Sequence, residues 1–227
     1  MKTKNNIYLL IIASAVIVSS FTQCKSLNNR QKGTVIGAGA GGTIGAVIGK
    51  QSGNTALGAI IGGAIGGTAG ALVGNYMDKQ AAELQRDLKG ATVTRVGEGI
   101  KITFDSGILF DVNQSNLKPA AQTNITNLAT VLKKYNDTEI LIEGHTDASG
   151  SDELNQNLSV MRAKSVKSYA SNLGVAGSRM NDVGYGETQP IDDNTTTSGA
   201  ANNRRVEIAI MANDKLKRAA KKGQIGN

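Results

Sequence analysis

The sequence predicts an α+β protein: a mixed β-sheet with helices packed on one side, preceded by a helical hairpin rich in glycine. Three observations predict it. Ile140-Leu141-Ile142 is a short continuous apolar run that breaks at Gly144, and from Leu154 to Leu173 the spacing turns helical. Val93 to Val96 and Ile100 to Phe104 read as two strands turned by Gly97-Glu98-Gly99. Finally, glycines fall at 33, 37, 41, 45 and 49, and again at 58, 62, 66, 70 and 74, two series that each repeat every four residues. Aromatics make up only 4% of the 227 residues and tryptophan is absent, so the core must be aliphatic.

Residues 1–23 start with Lys2 and Lys4, run apolar from Ile7 to Val18 and close on Ser19-Ser20. That is the layout of a secretory signal, too short to span a membrane comfortably. It ends at Cys24, the only cysteine, which cannot form an internal disulfide. The segment resembles a bacterial lipoprotein signal, although Phe21-Thr22-Gln23 departs from the usual leucine and small residues. The resemblance implies that Cys24 becomes a diacylated N-terminus, and two acyl chains anchor stably. Residues 24–32 form a polar tether.

Residues 33–77 carry the two glycine series, with Lys50 their only formal charge. Glycine costs up to about 1 kcal/mol per residue in an exposed helix, so such helices need lipid or close packing against each other. KQSGNT (50–55) is the expected turn of this membrane-associated hairpin, and the segment resembles the glycine zippers of bacterial envelope lipoproteins. Gly37 to Gly42 formally matches GxGxxG, but no strand precedes it and the repeat itself generates the match.

Residues 78–98 are expected to form a connecting helix and linker, with Ala81 to Lys89 as a short charged helix. The α/β domain spans 99–213. Pro119 fits the first turn of a helix reaching Tyr135, with Ile125, Leu128, Val131 and Leu132 inward. In the following helix, Leu158, Met161, Ser165, Val166 and Tyr169 recur at helical spacing, while Arg162, Lys164 and Lys167 keep the other side polar. Ser178 to Gly186 supplies a strand, Glu187 to Asn202 a long polar loop, and Arg204 to Met211 a last strand that alternates in part. Residues 214–227, with KLKRAAKK at 215–222, form a basic tail, read as a solvated helix end or as a contact for anionic glycan or lipid.

The chemistry concentrates after the central strand. Asp147 follows the strand's end and Arg162 lies roughly two turns into the next helix, so a carboxylate and a guanidinium can converge on one crevice. Two readings stand on spacing alone. The pair can neutralise each other as an ordinary ion pair, or hold the ammonium and carboxylate of a zwitterionic ligand.

GHTDASGSDELNQNLSVMRAKSV, GYGETQP and NNRRVEIAI, in this order, resemble the OmpA-like C-terminal domain over roughly Gly99 to Met211. The resemblance implies a βαβαβ fold that binds peptidoglycan through the diaminopimelate of the stem peptide. Asp147 would take the ammonium and Arg162 the carboxylate, with Asn113, Asn155 and Arg204 as supporting contacts. Ala200 stands where the family usually has a basic residue. With NYMDKQAAELQRDLKG and TVTRVGEGI, the resemblance extends to a zipper-plus-OmpA lipoprotein arrangement of the YiaD type.

What this implies is an outer-membrane lipoprotein facing the periplasm that tethers the membrane non-covalently to the cell wall. The expected partners are peptidoglycan, outer-membrane lipid and, through the zipper, further copies of the chain. The alternative makes the zipper a membrane oligomer acting in envelope integrity, with wall binding secondary. No catalysis, cofactor or metal is expected. His145 is the only histidine, so neither a His-rich metal site nor a Cys–His nucleophile can be assembled, and it reads as a hydrogen-bonding residue at the strand's end. The net charge of +7 comes without any nucleic-acid signature.

Overall fold

The structure, a computed structural model, describes residues 55–225. Cys24, the signal, the tether and the first glycine series lie outside the described residues. The elements are helices α1 (Thr55–Gly62) and α2 (Gly67–Asp87), strands β1 (Ala91–Val96) and β2 (Gly99–Asp105), helices α3 (Ser106–Leu109) and α4 (Pro119–Lys134), and strand β3 (Thr138–Gly144). Helix α5 (Asp152–Asn172), strand β4 (Met180–Gly184), helix α6 (Thr197–Asn203), strand β5 (Arg205–Ala212) and helix α7 (Asp214–Lys221) follow.

The five strands lie in the order β1-β2-β5-β3-β4. Only β3 and β4 run parallel, joined by α5 as a crossover. The expected mixed sheet is therefore present, with the predicted β1–β2 hairpin at one edge. Alternate residues of β2, β3 and β5, among them Ile102, Phe104, Ile142 and Ile208, bury one face against α2, α4, α5 and α7. The inward residues predicted for α4, Ile125, Leu128, Val131 and Leu132, are all buried, together with Ala121, Asn124 and Ala129.

β5 is the central strand, so all eight of its residues are buried and the partial alternation expected of it has no exposed side. Its second face presents Arg205, Glu207, Ala209 and Met211 to the opposite side of the sheet. There α1 lies on it, packing Ala56, Ala59 and Ile60 against Leu141, Ala209 and Met211. One short helix thus covers the face opposite the other four.

The second glycine series is not one uninterrupted helix. The chain breaks at 63–66, between α1 and α2, and the expected charged helix merges into α2, which runs on to Asp87. The Glu98 carboxylate causes the break to hold: it accepts from the amides of Ile65 (2.7 Å) and Gly66 (2.6 Å) at the start of α2, where an anion also suits the helix dipole. A Cβ on Gly70 would collide with that carboxylate, so this glycine serves an intramolecular contact. Among the described residues, no helix is long and apolar enough to cross a membrane. The basic tail is also docked, since α7 is capped by Asn213 and buries Leu216 and Ala220.

Candidate functional site

A crevice of about 500 Å³ opens at the C-terminal end of β3, lined by α3, the segment 110–113, the loop after β3, and α5. The position of α5 decides its geometry. Gly144 and Gly184 are neighbours across β3 and β4, and a Cβ on either would run into the backbone of Ser159 or Val160. The helix therefore crosses the strand ends at backbone contact. Ser159 Oγ donates to the Gln156 carbonyl (2.8 Å) and accepts from the Gly186 amide (2.9 Å), which fixes the crossing. Asn155, one turn earlier, and Arg162, one turn later, are carried to the crevice by this contact. Ser151 caps the helix, with Asp152 and Glu153 in its first turn.

The face of α5 differs from that expected. Asn155, Ser159, Arg162, Ala163, Val166 and Ala170 are buried, whereas Met161 is 48% exposed. Hydrophobic spacing misassigns the helix because its inward face is shared between the core and a polar crevice. Arg162 belongs to that inward face, not to a solvated one.

Arg162 is only 4% exposed. Its Nε donates to the Gln114 carbonyl (3.0 Å), its Nη1 to Ser106 Oγ (3.4 Å), and its guanidinium lies 5.3 Å from the ring centre of Phe110. Every one of these partners is neutral, and no carboxylate pairs with Arg162 among the described residues. Burial, followed by the charge of Arg204, lowers its pKa, and Asp147 pulls weakly the other way. A guanidinium nonetheless stays charged. The result is a cation held in place without a counter-ion in contact.

Asp147 stands across the crevice, and its partner is Arg204. Arg204 Nη1 donates to Oδ2 at 2.5 Å, and the Ser149 amide donates to Oδ1 at 3.0 Å. Burial raises the Asp147 pKa, but these hydrogen bonds outweigh it and the net shift is downward, toward the ionised form. The Asp147–Arg162 ion pair that spacing allowed is thus not formed. Arg204, expected only as a supporting contact, neutralises Asp147 while remaining substantially exposed itself.

The other expected residues are also in place. Asn155 is buried and donates to the Ser149 carbonyl (3.1 Å) and to Glu187 (2.7 Å), tying the helix start to the loop after Asp147. Asn113 lines the opposite wall with φ at 57°, a left-handed conformation that asparagine tolerates better than most residues. The long polar loop contains α6 and is organised by buried Asn203, whose side chain accepts from the amides of Ile191 and Asp192. It also donates to Asn194, which in turn accepts from the Ala148 amide beside Asp147. Sequence reasoning passed over Ser106, Gln114 and the ring of Phe110, which hold Arg162. It also missed Ser149, whose place two residues after Asp147 was a legible signal for an Asx turn.

The same strand end carries a second polar cluster on the opposite face. Glu143, His145 and Glu207 are buried, and His145 stacks on Tyr185 with ring centres 5.6 Å apart. Among the described residues, neither nitrogen of His145 has a hydrogen-bond partner, and the Glu143 carboxylate has only the Ala56 amide near it, outside good hydrogen-bond geometry. The expectation of a hydrogen-bonding His145 is not met among the described residues: Nε2 lies 3.8 Å from Glu143 Oε2, beyond hydrogen-bond distance, and the ring stacks on Tyr185. Burial first, and then the charge of Glu207, pushes Glu143 up to about 8 against the Ala56 amide, Arg205 and Lys101. Burial, with the charges of Arg205 and Lys101, holds His145 well below its ordinary value.

The OmpA family profile matches residues 109–204, and that of the YMGG-like Gly-zipper matches residues 1–78. Asn113, Asp147, Asn155, Arg162 and Arg204 all fall inside the former. The probable lipoprotein YiaD of Escherichia coli (strain K12) is 39% identical over 218 residues, covering 91% of this chain and 98% of YiaD. The chain belongs to the YiaD family. The two profile matches join a glycine-zipper segment to an OmpA-like domain in this chain. Outer membrane porin F of Pseudomonas aeruginosa is 43% identical over 53% of this chain and 34% of the porin. Among solved structures, the cell wall anchor of the T6SS from Pseudomonas aeruginosa superimposes with a TM-score of 0.52 at 26% identity, covering 60% of this chain and 96% of the anchor.

Proposed function

We propose that this YiaD-family chain is a periplasm-facing outer-membrane lipoprotein that binds peptidoglycan non-covalently and tethers the membrane to the wall without cleaving it. The observation that carries this reading is the buried guanidinium of Arg162, which has neutral partners only and faces a crevice that also holds the ionised Asp147. An uncompensated buried cation is costly unless a ligand completes it. The zwitterionic end of diaminopimelate has both groups needed, a carboxylate for Arg162 and an ammonium for Asp147. Arg204, whose side chain is partly exposed, can yield Asp147 to that ammonium and turn to another carboxylate of the stem peptide. Two arginines and two aspartates, Asp111 and Asp147, line the crevice, a balanced set of charges that suits a zwitterionic ligand.

The likeness to a cell wall anchor and to an outer-membrane porin supports this assignment, and Cys24 supplies the lipid attachment. Zipper-driven oligomerisation is the weaker reading, because part of the second glycine series is already engaged by Glu98. The test is a pull-down of the full-length chain on purified sacculi. We expect Asp147→Ala and Arg162→Ala each to weaken binding tenfold or more while melting as cooperatively as wild type. Wild-type retention of both well-folded variants would sink the assignment. For the anchor, Cys24→Ser should move the chain out of the outer-membrane fraction, and unchanged fractionation would count against lipidation there.

A further inference from the structure

We propose that Glu143, His145 and Glu207, on the face of the sheet away from the crevice, form a binding site for a divalent transition-metal ion such as Zn²⁺. Donor atoms from the three side chains all lie within 4.8 Å of one another, and all three residues are almost wholly buried. His145 Nε2 and Glu143 Oε2 are 3.8 Å apart, too far for a hydrogen bond. Two donors on one tetrahedral Zn²⁺, each about 2 Å from the ion, sit roughly 3.3 Å from each other, so closing this pair by about half an ångström brings it into place.

The unpartnered atoms are the independent sign of a ligand. Among the described residues, four buried side-chain atoms, two on Glu143 and two on His145, lack a well-formed hydrogen bond, with only the Ala56 amide near Glu143, and such a concentration calls for an ion or ordered water. Imidazole with two carboxylates is a donor set for Zn²⁺ and its borderline neighbours, not for Mg²⁺ or Ca²⁺, which take oxygen alone.

The groups around the site set its strength. Arg205 Nε (2.8 Å) and Lys101 Nζ (3.4 Å) both donate to Glu207 Oε1. They orient that carboxylate between β2 and β5. Their positive charges oppose a dication, so binding should be weaker than at an all-anionic site. Tyr185 flanks the histidine ring, and the start of α1 closes over the cluster with Ala56. A bound ion would join β3 to β5 beneath α1 and so fasten the end of the zipper to the domain.

The experiment titrates Zn²⁺ into the chelator-treated full-length chain while following the ring ¹⁵N resonances of its only histidine. Saturable, one-to-one movement of a single ring nitrogen is expected, with a matching rise in Tm. Because wild type alone gives this readout, it does not depend on a variant that folds. Glu143→Gln, checked by its own melt, should weaken Zn²⁺ binding tenfold or more. Ring nitrogens that do not move at saturating Zn²⁺ overturn the proposal and leave the cavity to water. So does unchanged affinity in folded Glu143→Gln.

Discussion

Two polar clusters flank the end of one strand, and they handle charge in opposite ways. On one side Asp147 and Arg162 open on a crevice of about 500 Å³, with the carboxylate ionised and the guanidinium lacking an anion. On the other, Glu143 and His145 are closed beneath α1, and burial drives both toward their neutral forms. Access explains the contrast. A group that a solvent-exposed ligand can reach keeps its charge ready, whereas a sealed group minimises its charge unless something enters to take it. The lesson is that burial alone does not mark a binding residue. For a ligand the size of a peptide, what matters is whether space beside the buried group leads outward.

The largest effect should come from moving α5, the helix that carries Asn155 and Arg162 to the crevice. Gly184→Val puts side-chain atoms where Val160 and Ser159 lie, and we expect a loss of about 3 kcal/mol in denaturant unfolding, at the upper end for overpacking. Because Asn155 and Arg162 ride on α5, sacculus binding should fall with it. A variant as stable as wild type would show that the close crossing is dispensable.

Removing the unpaired cation separates stability from binding. In Arg162→Met the long apolar stem is kept and the buried charge is gone. Thermal unfolding should be unchanged or improved by roughly 1 kcal/mol, while wall binding drops at least tenfold. A strongly destabilised Arg162→Met would mean that the guanidinium is a structural group after all.

The closed cluster should reveal itself through pH. Glu143 is raised from an ordinary 4.5 to about 8, so between those values the unfolded chain has lost a proton that the folded chain retains, and stability falls as pH rises. His145 is held below its ordinary 6.5, which makes stability rise with pH in the range below 6.5. The two slopes oppose each other there and leave a net fall only from about pH 6.5 to 8. In metal-free protein, melts should decline across that window by at most about 1.4 kcal/mol per pH unit. Glu143→Gln should flatten the decline, and an equal slope in the variant would contradict the burial of a neutral carboxyl.

A smaller effect is expected where the zipper meets the domain. Glu98→Ala removes the anion at the start of α2, and a loss of about 1 kcal/mol is typical for such a cap. Hydrogen exchange at the Ile65 and Gly66 amides should quicken selectively. Unaltered exchange would detach Glu98 from the break it faces.

Much of the domain was legible because its strands are short apolar runs bounded by glycine, and because α4 keeps a regular inward stripe. The failures are as local as the successes. Met161 and Arg162 exchanged their expected environments because α5 turns a polar edge inward, and no hydropathy rule sees a crevice. Arg205 and Glu207 were hidden by the central position of β5, which only the strand order reveals. The interruption at 63–66 depends on Glu98, more than thirty residues away in sequence and therefore invisible to a four-residue repeat. Asp147 and Arg162 were found, but not the choice of Arg204 as Asp147's partner, which the distances between side chains decide.

The most direct test of the crevice is a calorimetric comparison of two soluble muropeptides, one with diaminopimelate and one with lysine at the same stem position. Lysine offers the ammonium for Asp147 but no carboxylate for Arg162. Wild type should prefer the diaminopimelate ligand at least tenfold, about 1.4 kcal/mol, and Arg162→Ala should reduce that preference to near unity. Asp147→Ala should weaken both ligands together. A folded Arg162→Ala chain that still discriminates like wild type would contradict the account, since the carboxylate would then be read elsewhere.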